Sequence, residues 1–77
     1  MTIEDAFATV LRDLRTAKGL TQERLAFDAD LDRTFISLLE RGHRQPSLGT
    51  LFQLSEALGV SPASVVQRVE ELLAAAP

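Results

Sequence analysis

Five times in 77 residues a small polar side chain stands directly before an amphipathic run: Thr2, Thr21, Asp32, Ser47 and Ser61. Three of those runs are followed by a glycine, at Gly19, Gly42 and Gly59. Side-chain oxygens at such openings accept hydrogen bonds from the free N–H groups of a helix's first turn, and glycine takes the left-handed conformation that ends a helix. This punctuation predicts five short helices and no strand. In the first, Thr2 and Asp5 read as a capping box, and Phe7, Val10, Leu11 and Leu14 share one face up to Lys18-Gly19. Gln22 to about Asp28 forms a second helix burying Leu25 and Ala26, followed by a tight turn, Ala29-Asp-Leu-Asp32, whose Leu31 plugs the core. A third runs from Arg33 to Arg41 with Ile36 and Leu39 inward and Phe35 half covered. The polar loop His43–Pro46 leads to a fourth, capped by Ser47 and ending at Leu58. Pro62, at a favoured first helical position, opens a fifth to about Ala74, after which the chain is expected to fray through Pro77. The expected fold is all-α: a compact orthogonal five-helix bundle forming one domain over residues 1–77.

Helices of two to four turns are marginal alone, so the bundle must be held by tertiary packing. A core this small supplies only about 3–5 kcal/mol, and without cysteine there is no disulfide or thiolate metal site to add to it. A second subunit is the expected supplement. Catalysis is excluded by what the chain lacks: the carboxylates are dispersed, no serine has a histidine at nucleophilic spacing, and there is no glycine-rich phosphate loop. His43 is the single histidine and has no metal-ligand partners nearby, so neither metal nor cofactor nor small-molecule substrate is expected. There is no apolar run long enough to span a bilayer, and the acidic start Met1-Thr-Ile-Glu-Asp5 is unlike a signal peptide. A cytoplasmic protein without membrane contact is the expectation.

The second and third segments, residues about 21–41, have the lengths and spacing of a helix-turn-helix unit. Around it stand Leu14-Arg15, Lys18-Gly-Leu-Thr-Gln22, Leu25-Ala26, Leu31-Asp-Arg-Thr-Phe-Ile-Ser37, Leu39-Glu-Arg-Gly42, Pro46-Ser47, Leu51 and Ala57-Leu-Gly-Val-Ser61. In these residues, spread over Leu11 to Val66, the chain resembles the lambda-repressor-like, Xre-type helix-turn-helix family. Its Leu31–Ser37 segment also looks like that of the controller proteins of restriction-modification systems. The resemblance implies a dimeric, sequence-specific regulator with its third helix in the major groove of double-stranded DNA, at a pseudo-palindromic operator whose half-sites lie about 34 Å apart.

Under that reading Arg33, Thr34 and Ser37 face base edges, Arg33 being able to donate two hydrogen bonds to guanine, and Leu38 meets a thymine methyl. Gln22, at a helix start, binds phosphate or braces the third helix. Arg41, His43, Arg44 and Gln45 reach flanking phosphates. Arg15 and Glu40 match a family ion pair beneath the turn, a structural role. Asp30 stands where the family usually has glycine, and with Asp28 and Asp32 it makes an acidic patch. In the fifth helix, about residues 62–74, Val65, Val69, Leu72 and Leu73 form an outer stripe expected to be the homodimer interface, with Val66 packing inward. The alternative is an antitoxin or adaptor-like regulator of the same fold whose main partner is a protein.

The net charge of −3 and a pI near 4.9 speak against nucleic acid only as averages. Residues 1–32 hold four basic and seven acidic groups, 33–47 hold three and one, and 48–77 hold one and three, giving −3, +2 and −2. The positive segment is the third helix and the loop after it. Nonspecific affinity should accordingly be low and strongly salt-dependent.

Overall fold

Each of the five expected caps is made in the computed structural model, which describes residues 1–76. Thr2 accepts from the Asp5 amide at 3.1 Å, Thr21 from Arg24 at 3.0 Å and Asp32 from Thr34 at 3.0 Å. Ser47 and Ser61 accept from Thr50 and Ser64, both at 3.1 Å. The helices they open are α1 (Ile3–Ala17), α2 (Gln22–Ala29), α3 (Arg33–Glu40), α4 (Leu48–Leu58) and α5 (Pro62–Ala75). Boundaries move by one residue from the sequence reading in four places, the first being Lys18, which caps α1. Ala29, assigned to the turn, is the last residue of α2 and is buried; Arg41 caps α3 instead of extending it; and α5 continues through Ala75. Pro77 lies outside the described residues.

Leu11, Leu25, Ile36, Leu39 and Leu54 make the centre of the core, one or two from each of the first four helices. α1 packs against α3 and α5, and α2 against α3 and α4. Side chains satisfy carbonyls that helix ends leave open: Lys18 Nζ donates to Ala57 O at 2.9 Å, and Gln53 Nε2 to Ala29 O at 3.1 Å. The buried Ser55 hydroxyl donates to Leu51 O at 2.7 Å. Gly42 is favoured by its backbone conformation, and a side chain there would also displace the Asp5 carboxylate. Its φ is +74°, and a Cβ there would stand 2.7 Å from Asp5 Oδ1.

The α2–α3 turn holds the one described non-glycine residue with positive φ, Asp30, at φ 57° and ψ 46°. Aspartate tolerates this conformation better than most residues but not without strain. Asp30→Gly is therefore expected to stabilise the fold by about 0.5–1 kcal/mol, read from urea unfolding. A loss of stability would show that the side chain is held by something other than turn geometry.

One expected face is corrected. Val65 and Val69, assigned to an outer stripe of α5, are 3% and 8% exposed, and Val66, assigned inward, is 53% exposed. Leu72 and Leu73 are half-buried against the core. The physical reason is that α5 lies on α1, where Phe7 and Val10 offer an apolar seat that Val65 and Val69 fill. Both faces of α5 carry valine, so spacing within the helix does not set which one turns in.

Candidate nucleic-acid interface

The turn between α2 and α3 is closed by backbone bonds, Asp30 N to Phe27 O at 3.2 Å and Leu31 N to Ala26 O at 2.8 Å. Leu31 is thereby tucked against the core, and α3 leaves the turn with Ile36, Leu39 and Glu40 buried. The opposite face is left to solvent at its N-terminal end. Arg33 and Thr34 are exposed, while Ser37 and Leu38 are half-buried. With Gln22 from the start of α2, Arg33, Thr34 and Ser37 line one concavity of about 200 Å³. Four of the residues assigned to DNA from the sequence are thus brought together by the fold.

The cationic residues after α3 are arranged around its far end. Arg41 and Arg44 are exposed, with Arg41 Nε 3.4 Å from Ser37 O and Arg44 Nη1 donating to His43 O at 2.9 Å. His43, also exposed, is anchored through its backbone N–H to Leu38 O at 2.9 Å. Gln45 stands apart from this group: its amide donates to Glu4 Oε1 at 3.1 Å, and it lines a different groove with Ile3 and Leu48. Within the acidic patch Asp28 pairs with Arg24 at 3.0 Å and Asp32 caps α3, and Arg24 in turn lies over the exposed Phe27 ring.

Beneath the exposed face sits a polar network with no counterpart elsewhere among the described residues. Arg15 Nε donates to Glu40 Oε2 at 2.6 Å, Arg15 Nη2 to Oε1 at 2.9 Å and Arg15 Nη1 to Leu20 O at 2.8 Å. Gln22 Nε2 donates to the same Oε1 at 3.1 Å, and Arg12 Nη2 to the Glu40 backbone carbonyl at 2.9 Å. The Glu40 side chain is 2% exposed and that of Arg15 14%. The hydrogen bond to Glu40 raises the Arg15 pKa above its already high usual value, outweighing the opposing effect of burial. Arg15 and Glu40 form the bidentate pair that the resemblance implied, and α1, α2 and α3 are tied at one carboxylate. The contribution of Arg12 was missed from the sequence. Its signal was there, since Arg12 and Arg15 are three residues apart and share a helix face.

A second feature unforeseen in the sequence is apolar. Ile3, Leu48 and Val66, all largely exposed, rim a groove of about 210 Å³ floored by Phe7, Leu51, Val65 and Val69. Phe52, 56% exposed, lies one turn beyond Leu48 on α4. Among the described residues no helix is long and apolar enough to cross a membrane.

Comparison with known proteins agrees with this geometry. The helix-turn-helix family model matches residues 11–65. The control protein C.BamHI of Bacillus amyloliquefaciens is 44% identical over 61 residues, which span 78% of this chain and 75% of that one. The restriction-modification controller protein C.AhdI of Aeromonas hydrophila superposes with a TM-score of 0.79 at 45% identity, over 80% of this chain and 94% of that one. The controller protein C.Esp1396I, solved as a tetramer with its natural 35 base-pair operator, superposes with a TM-score of 0.83 at 31% identity, over 92% and 93% of the two chains. With its five-helix core, its turn and its family match all in register, the chain belongs to the lambda-repressor-like, Xre-type helix-turn-helix family of DNA-binding transcriptional regulators and strongly resembles the restriction-modification controller proteins.

Proposed function

We propose that the protein acts as a homodimer on a pseudo-palindromic operator, with α3 in the major groove and its first turn reading base edges. The observation that carries this is the joint exposure of Arg33, Thr34 and Ser37 beside Gln22, on the single segment of the chain with net positive charge. Arg33 supplies the bidentate donor for guanine, and Thr34 and Ser37 offer hydroxyls to either partner. Arg41, His43 and Arg44 hold flanking phosphates and set register without reading sequence. That the relative C.Esp1396I was solved as a tetramer in complex with its natural 35 base-pair operator supports operator binding by this chain.

The subunit contact is assigned to the groove rimmed by Ile3, Leu48 and Val66, extended by Phe52, and not to Val65 and Val69, which the monomer has already buried. A second copy is the occupant favoured by the small core of a 77-residue chain and by the tetrameric assembly of the C.Esp1396I relative. Selection of bound duplexes from a random pool, followed by gel shift of the enriched and a scrambled duplex, tests the reading directly. Equal affinity for both duplexes would overturn it.

Two substitutions separate base reading from phosphate contact. Arg33→Ala is expected to cost about 1–3 kcal/mol on the enriched duplex and to relax preference at one base pair. Arg44→Ala should weaken enriched and scrambled duplexes alike and lower the slope of log affinity against log salt by about one. If both variants lose equally on both duplexes, Arg33 does not read a base.

A further inference from the structure

Glu40 sits at the end of α3 remote from the turn, is 2% exposed, and has no surface with which to touch DNA. Yet its Oε1 is shared between two donors from different helices, Arg15 Nη2 at 2.9 Å and Gln22 Nε2 at 3.1 Å. A carboxylate paired in this way with a guanidinium is ionised and can only accept hydrogen bonds. The end of the Gln22 side chain that faces it must therefore be the NH₂ end. The carbonyl oxygen of the amide is then the end not engaged by Glu40, and Gln22 is one of the residues lining the concavity with Arg33, Thr34 and Ser37.

Resting on the DNA-binding reading above, we infer that Glu40 is a positioning residue for operator recognition: it fixes the polarity of the Gln22 amide, inward donor and outward acceptor. An unrestrained glutamine can flip and so match either a donor or an acceptor on the DNA. Held as it is, Gln22 presents an oxygen that phosphates and guanine O6 or N7, all acceptors, cannot satisfy. That oxygen selects a donor instead, the exocyclic amine of adenine or cytosine or the guanidinium of Arg33. Phosphate is left only the remaining Nε2 hydrogen. The buried charge beneath the turn thus restricts which bases the exposed face accepts, without contacting any of them.

The test uses a duplex enriched from a random pool and a scrambled duplex of the same composition. Fluorescence anisotropy gives the ratio of the two affinities for the unmodified protein, Gln22→Ala, the charge-neutral pair Arg15→Met/Glu40→Leu, which removes the acceptor, and the triple variant, each corrected for its folded fraction from circular dichroism. The expected result is a roughly fivefold fall in the ratio for Gln22→Ala and for the Arg15→Met/Glu40→Leu pair, the size of one lost hydrogen bond. The triple variant should fall no further than Gln22→Ala, because the two changes remove one shared interaction. A network that serves stability alone would leave the ratio unchanged, and independent effects would multiply in the triple variant; either result overturns the inference while leaving the DNA reading intact. Failure to enrich any duplex overturns both. Should the neutral pair not fold, side-chain ¹⁵N spectra of the unmodified protein decide the matter. One Gln22 Nε2 proton is expected to be protected from solvent exchange, and exchange of both at the rate of free glutamine overturns the inference.

Discussion

Glu40→Gln is expected to destabilise the protein by about 3 kcal/mol, and restoring neutrality with Arg15→Met in the same chain is expected to recover part of that loss. Glu40 is the acceptor at which Arg15 and Gln22 meet. Removing its charge leaves the Arg15 guanidinium, whose side chain is 14% exposed, without its main partner. Breaking such a pair from one side typically costs about 3–5 kcal/mol, because a desolvated charge is left uncompensated, whereas removing both members is often close to neutral. The lower end of that range applies here, since Arg15 keeps the Leu20 carbonyl at 2.8 Å and some contact with water. Even so, the loss rivals the roughly 3–5 kcal/mol that the core of so small a domain provides. Urea titration of Glu40→Gln, Arg15→Met and the double variant measures it. Strictly additive losses would show that the pair is not coupled.

The other large effect concerns assembly. Val66→Glu is expected to leave the monomer folded, because Val66 is 53% exposed and the substitution touches no core contact. It places a charge at the rim of the groove assigned to the second subunit. If operator binding depends on two recognition helices acting together, loss of the dimer removes the gain from linked binding and should lower affinity for the enriched duplex by about 10²–10⁴-fold. Val65→Glu, by contrast, puts a carboxylate into a site 3% exposed and should unfold the monomer itself. Sedimentation velocity with circular dichroism separates the cases. A folded Val66→Glu protein that still sediments as a dimer would move the interface elsewhere.

The helix termini were legible because they are local. Thr2, Thr21, Asp32, Ser47 and Ser61 each satisfy an amide two or three residues away, so the residue type at the cap carries the information. The helix-turn-helix was legible for the same reason, and so was the positive segment 33–47 inside an acidic chain. Arg15 and Glu40, 25 residues apart, were paired by family resemblance and not by any spacing rule. The capping box was read half correctly. Thr2 accepts as expected, but Asp5 Oδ1 is turned to Gly42, at the end of α3, where it would stand 2.7 Å from a Cβ.

By itself, then, the sequence determined five short helices, their order, their limits to within a residue and the position of the helix-turn-helix unit. All of these follow from hydrogen bonds and apolar spacings within a few residues of chain. Only the tertiary structure decided which valines of α5 face the core, what the Gln22 amide is bonded to, and where an apolar surface is left over. Those depend on how one helix is rotated against another. That rotation is set by the fit of Val65 and Val69 on the α1 face and by the crossing of α2 over Glu40, contacts between residues far apart in the chain whose geometry no local pattern encodes.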